Sequence, residues 1–196
     1  MADLADFEID LHDHDGIILS ETTLLEDDMA QLSEQLTTLL IEALQFGVLA
    51  DLPAASGDSH WEIRSIADCT VPGEHPDRWT VLVTLARDAF TALHKQDRRA
   101  ARALLQRWIA LTRRPGCGLF MRLALWAATE AEDLPVDELV GALLEDQAAA
   151  LWSEEFEAEL AAFLRRQGPF LEQNGLLAEI LVAIRNGPLE APDDEL

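Results

Sequence analysis

His12-Asp13-His14-Asp15 is the densest set of metal-type ligands in the chain. An HxH pair with neighbouring carboxylates can hold a divalent ion when a turn gathers them to one side. The longer HxHxDH pattern needs Asp at 16 and His at 17, where Gly16 and Ile17 stand. Spacing alone supplies no fixed ligand geometry, so these residues read as a solvated polar turn and no metal site is expected. Gly57-Asp58-Ser59-His60 offers a hydroxyl beside an imidazole. No apolar strand precedes it and no Asp-x-x-His follows, so a base and its orienting acid cannot be assembled around the serine. Cys69 and His75 could form a thiol–imidazole pair, but nothing nearby reads as an oxyanion hole. Gly116-Cys117-Gly118 is too short for a phosphate loop and reads as a turn before a helix. No catalytic residue, cofactor or enzyme activity is expected from these groups.

The remaining chemistry lies in arginines. Arg98, Arg99, Arg102, Arg107, Arg113 and Arg114 crowd into one helix and its end, and guanidinium groups recognise phosphate and carboxylate well. The charge distribution says which. Residues 1–63 carry 15 acids and no Lys or Arg; residues 64–128 have a net charge of +6; residues 129–196 have a net charge of −14. The whole chain stands at −23, a field that repels nucleic acid and anionic membranes. The basic middle is therefore expected to pair with its own acidic flanks. Arg122, alone in the apolar run Leu119–Ala128, is expected to meet a carboxylate, because an unpaired buried charge is costly.

The elements that must position these groups read as helices. Leu and Ala number 34 and 29, against 7 Val, 9 Ile and no Tyr, a composition that favours helix over strand. The expected class is all-α, as stacked antiparallel helical hairpins of a HEAT-like kind or an irregular bundle. The alternation Phe7-Glu8-Ile9-Asp10-Leu11 before a DG turn admits a small N-terminal β-hairpin, although Leu4, Phe7 and Leu11 also fit a helix face. Leu25, Met29, Leu32, Leu36, Leu39, Ala43 and Phe46 make a heptad-type seam over 23–46. Residues 50–76 hold Pro53, Gly57, Pro72, Gly73 and Pro76 and read as a connector with Trp61, Ile63 and Ile66 as anchors.

From Asp77 onward helical faces follow closely: Trp79, Leu82, Val83, Ala86, Phe90 and Leu93; then Ala101, Leu104, Leu105, Trp108 and Ile109. The run 119–128, apolar almost all round, is expected at the centre. Pro135 suits the first turn of the next helix, and Ser153 the cap of one bearing Phe156, Leu160, Phe163 and Leu164. Leu177, Ile180, Leu181 and Ile184 form the last buried face. Arg166-Gln167-Gly168-Pro169 and Arg185-Asn186-Gly187-Pro188 both read as helix stops, and Arg113-Arg114-Pro115-Gly116 as a looser one. The divisions expected are an acidic segment at 1–50, a connector at 51–76, a helical-repeat body at 77–188 and an acidic tail at 189–196.

Arg64-Ser65-Ile66-Ala67-Asp68, Arg87-Asp88-Ala89, Leu105-Gln106-Arg107-Trp108 and Leu119-Phe120-Met121-Arg122-Leu123-Ala124-Leu125, with Leu151-Trp152-Ser153 and Ala183-Ile184-Arg185-Asn186-Gly187-Pro188, resemble helical-repeat segments of large bacterial STAND-type ATPases, many of them antiphage defence proteins. The resemblance covers about 61–188 and implies a recognition or scaffold arm. No P-loop occurs, so it implies no ATPase activity.

The function expected is a non-enzymatic protein-interaction or scaffold domain in the cytoplasm. The alternative is an acidic inhibitor, a DNA mimic or immunity-type protein covering a basic site on a nuclease or toxin. No apolar stretch nears the roughly 20 residues of a membrane helix. The partner expected is a protein, basic in character, or a second copy. Its contact is expected at Leu25, Asp27, Asp28, Met29, Leu32, Glu34 and Leu36, where an apolar stripe is rimmed by acids.

Overall fold

The computed structural model describes residues 32–33, 35–38, 65–68, 78–114, 118–131 and 133–187. These residues are helical almost throughout and include no strand, so the described part is all-α. The N-terminal hairpin considered above lies outside them.

Helix α1 (Arg78–Gln96) buries Val83, Ala86, Ala89 and Phe90, the spacing of one helical face. Asp97 then breaks the helix with extended backbone, and its carboxylate accepts the free N–H groups of Arg99 and Ala100 at 2.9 and 3.0 Å. Helix α2 (Arg98–Thr112) buries Ala101, Leu104, Leu105, Trp108 and Ile109, as its periodicity predicts. Helix α3 (Gly118–Glu130) has every residue from Leu119 to Ala128 buried. A Cβ added at its first residue, Gly118, would lie 2.5 Å from the Glu155 carboxylate, the far end of a flexible side chain that can shift aside.

Helix α4 (Asp137–Ala148) opens on Asp137 and Glu138, anions at the positive end of the helix dipole. Val136 is its cap residue, so Pro135 stands before the helix, not in its first turn. The regular helix fails at Glu145. Asp146, Gln147 and Ala148 then take φ of 46, 62 and 62°, a left-handed turn built without glycine. Two 3-10 turns (Ala149–Trp152 and Glu154–Phe156) lead into α5 (Glu157–Gln173). Ser153 makes no side-chain cap bond, and it precedes a 3-10 turn instead of an α-helix. Helix α6 (Leu176–Asn186) follows Gly175, whose φ of 77° is the left-handed conformation that lets the chain reverse.

One expected helix stop is overturned. Gly168 and Pro169 lie inside α5, which runs on to Gln173. Proline removes a helix hydrogen bond and crowds the carbonyl four residues back. Tertiary anchors on both sides outweigh this: Gln167 donates to the Ala128 carbonyl oxygen of α3, and Leu171 is fully buried. The stop at Gly187 does operate, with φ of 76° and its N–H bonded to the Ile184 carbonyl.

The contacts alternate. Helices α1, α3 and α5 touch in one layer and α2, α4 and α6 in the other, while α1–α2, α2–α3 and α5–α6 contacts join the layers. Such a pattern is that of stacked helices, with α3 central because it meets α1, α2 and α5 together. Phe90 of α1, Trp108 of α2 and Trp126 of α3 meet at this centre, with ring centroids 5.2 Å (Phe90–Trp108) and 5.9 Å (Phe90–Trp126) apart.

Because Pro169 is exposed and costs α5 a backbone bond, Pro169→Ala should raise stability by about 1–3 kcal/mol, the gain being trimmed by a freer unfolded chain. Equilibrium denaturation of the two proteins measures this; an unchanged or lower midpoint would contradict the account of α5.

Candidate functional site

The sequence candidates divide sharply. Leu36 is buried in the core, and Leu32 is half-buried and packs against it. Between them Ser33 is buried, and Thr37 is fully buried on Trp108 of α2. The Thr37 hydroxyl donates to the Ser33 carbonyl at 2.9 Å and accepts the Trp108 indole N–H at 3.0 Å. The structure thus turns Leu32 and Leu36 toward the chain's own body. Leu25, Asp27, Asp28, Met29 and Glu34 lie outside the described residues, as do His12, His14, Ser59, His60, Cys69, His75 and Cys117. Among the described residues no group of three or more His, Cys, Asp or Glu is placed to hold a metal ion. Nor is any described helix long and apolar enough to cross a membrane.

The arginines pair largely with the acidic third of the chain. Arg122 and Glu159 form an ion pair with both side chains only 2% exposed. Arg122 donates from Nε to Glu159 Oε2 at 3.0 Å and from Nη2 to Oε1 at 3.1 Å. Glu159 Oε1 also accepts the Ile66 N–H at 2.7 Å, and Arg87 reaches the Ile66 carbonyl at 3.3 Å. A segment read as connector is therefore clamped to α1, α3 and α5 at Ile66, itself buried. Arg98 meets Asp133 at 3.1 Å, and His94 bonds the same carboxylate at 2.8 Å. Arg113 holds Glu145 with two nitrogens, and Gln106 donates to Glu138 at 2.7 Å. Arg99, Arg102 and Arg114 are exposed.

Two carboxyls feel these partners. Partial desolvation would raise Asp133, but the His94 hydrogen bond and charge, with Arg98 beyond, hold it below the usual carboxylate range. The Arg113 hydrogen bond and charge hold Glu145 down in the same way, and Glu145 in turn raises Arg113.

What sequence reasoning missed is the outer side of α6. Ile180 is fully buried, and Leu176 and Leu177 pack against the core. Leu181, Val182 and Ile184 are 50, 54 and 38% exposed, so the expected buried face Leu177, Ile180, Leu181 and Ile184 is correct for its first half only. The helix carries apolar residues on more sides than α4 and α5 cover. The signal was present in Leu176-Leu177 and Ile180-Leu181-Val182, adjacent apolar pairs that no single face of a helix can bury. Phe170 and Trp152 are the other exposed large apolar side chains among the described residues.

The class so defined is an all-α stack with an apolar outer helix. Compared with protein-family models, curated proteins and solved structures, the chain matches none.

Removing one member of the buried pair strands the other. Glu159→Ala should cost about 3–5 kcal/mol, and Arg122→Met with Glu159→Met should recover part of it. Urea unfolding of the native chain and the two variants measures this; a double variant no more stable than Glu159→Ala would refute the pairing argument.

The depressed carboxyls set an acid limb. Their folded values lie below the unfolded ones, so their contribution is complete above the ordinary carboxylate range of about 4 and is lost as pH falls through the folded values. Asp133→Asn with Glu145→Gln should flatten the loss of stability below about pH 4, as followed by thermal melts.

Proposed function

We propose that this chain is a non-enzymatic helical protein-interaction or scaffold domain. The observation that carries the reading is the apolar outer side of α6, at the end of the even-numbered layer. A stack of helices stays closed to association when its end helices present polar surfaces. Here α6, the last helix among the described residues, presents Leu181, Val182 and Ile184 instead. Contiguous exposed apolar groups on a folded domain mark places where other molecules bind. The described ionisable groups with named partners hold helices together: Arg122–Glu159, Arg113–Glu145 and the His94–Asp133–Arg98 set are structural in placement. The resemblance to repeat segments of STAND-type ATPases makes a recognition arm of a bacterial defence system the particular role proposed.

A specific observation keeps a second reading in play. The chain stands at −23, and α4, α5 and α6 expose Asp137, Glu138, Glu145, Glu157, Glu172 and Glu179. An acidic inhibitor covering a basic nuclease or toxin site would use that charge.

Affinity capture with the full chain, followed by reconstitution from purified components, tests both. The expected result is a complex of fixed stoichiometry, with a large ATPase supporting the scaffold reading and a basic nuclease or toxin the inhibitor. Failure to reconstitute any captured protein would overturn the interaction reading, as would stoichiometric metal and hydrolytic activity that His12→Ala with His14→Ala removes.

A further inference from the structure

At the end of α4 the backbone goes against the preference of its own residues. From Ala142 to Trp152 the chain holds four alanines and three leucines, with no glycine, proline or β-branched residue. Such a run favours unbroken right-handed helix. The chain instead leaves the helix at Glu145, whose ψ is 164°, and turns left-handed through Asp146, Gln147 and Ala148. Left-handed backbone crowds Cβ against a carbonyl oxygen, which aspartate tolerates better than glutamine or alanine. Among the described residues every other positive φ belongs to a glycine.

One carboxylate accounts for the turn. Leu139 and Leu143 are fully buried, and in an unbroken helix Asp146 would follow them by seven and three residues, on the same inward stripe. An ionised side chain placed there without a partner is severely unfavourable. The turn keeps Glu145, Asp146 and Gln147 exposed and buries Ala148 in their stead, while Leu151 packs against the core. Arg113 of α2 adds a tether by holding Glu145 with two nitrogens, but both side chains are exposed, so the hold is modest. Backbone preference therefore pulls α4 straight, and Asp146 keeps it bent.

We propose that residues 145–151 form a two-state joint, in which the left-handed turn exchanges with a straightened form whose α4 runs on as right-handed helix through Leu151, and that Asp146 sets the balance. The straightened form lengthens α4 by about two turns, on the order of 10 Å, and lifts Leu151 from its present place. Residues 152–156 supply the slack, because a 3-10 turn rises about 2.0 Å per residue against about 3.4 Å in extended chain, and Glu159 stays on Arg122. A molecule that binds the exposed Asp146 locks the turn, and one that binds a long α4 releases it, since only unequal affinity for the two forms moves such a balance. The joint is independent of the interaction reading above.

Backbone NMR of the full chain reads the handedness of 146–148, and relaxation dispersion reads exchange between the forms on the μs–ms scale. The native chain should show exchange at 145–151, with a minor form of about 1–10%. Gln147→Gly suits a positive φ and weakens a helix, so it should deplete the minor form about tenfold or more and quench the exchange. Asp146→Leu removes the charge that opposes the straight helix. It should make right-handed backbone the major form at 146–148 and add about two turns of helix to the far-ultraviolet circular dichroism. Absence of exchange at 145–151 in the native chain overturns the proposal. Exchange that Gln147→Gly leaves unchanged does so too, as does a folded Asp146→Leu that keeps the left-handed turn. Should Asp146→Leu fail to fold, the native chain and Gln147→Gly decide the matter between them.

Discussion

A guanidinium sits at the centre of an apolar stack, and the arrangement around it follows from the need to satisfy it. Arg122 belongs to the most buried helix of the described chain, where an ionised group without a partner is severely unfavourable. Glu159 of α5 answers it with both oxygens, and one of those oxygens also takes the Ile66 N–H. Three segments far apart in sequence must therefore arrive together. Apolar replacement could hold α3 and α5 just as firmly, since the Coulomb gain of a buried pair is largely offset by desolvation. What the pair adds is register. A leucine tolerates a neighbour displaced by part of a turn, whereas a guanidinium bonded through two nitrogens accepts one placement of the carboxylate.

A second polar tie sits at the aromatic cluster, on Trp108 beside Phe90. Trp108 is fully buried, and its indole N–H needs an acceptor, which Thr37 supplies from a segment that precedes the helical body. The hydroxyl donates its own hydrogen bond to the Ser33 carbonyl, so donor and acceptor capacities close locally. Thr37 belongs to the acidic N-terminal third and Ile66 to the segment just after it, so both are tied onto the helical body. The acid-rich last third does the same through Glu145, Asp133 and Glu159. Charges separated along the sequence are thus partly paired in space.

How much of this was legible varies with how far a residue's fate depends on its neighbours. The faces of α2 and α3 were readable because periodicity fixes what must be buried. That Arg122 would find a carboxylate was readable from cost alone; which carboxylate was not, because 37 residues separate it from Glu159. The Gly168-Pro169 stop was misread because capping signals are local and weak, and a buried Gln167 and Leu171 override them. The apolar strip on α6 was misread for a different reason. Adjacent apolar residues show that a helix has two faces to cover, but only the stacking order shows that nothing described covers the second. For the N-terminal candidates the described residues speak only through Leu32 and Leu36, which lie against the core.

The size of the α6 strip also fixes the kind of binding it can support. Apolar burial contributes about 25 cal/mol per Å², so roughly 300 Å² from each side gives on the order of 10–15 kcal/mol gross. Association itself opposes this by an estimated 4–15 kcal/mol before any side chain is ordered. A contact of that size on its own is confined to weak binding. Exposed charges add little to affinity pair by pair, but a surface standing at −23 raises the encounter rate of a cationic partner over a neutral one. Fast arrival on a small apolar strip with rapid release is the behaviour such a surface favours. Salt should act mainly on arrival, while the fit of Leu181, Val182 and Ile184 should govern departure.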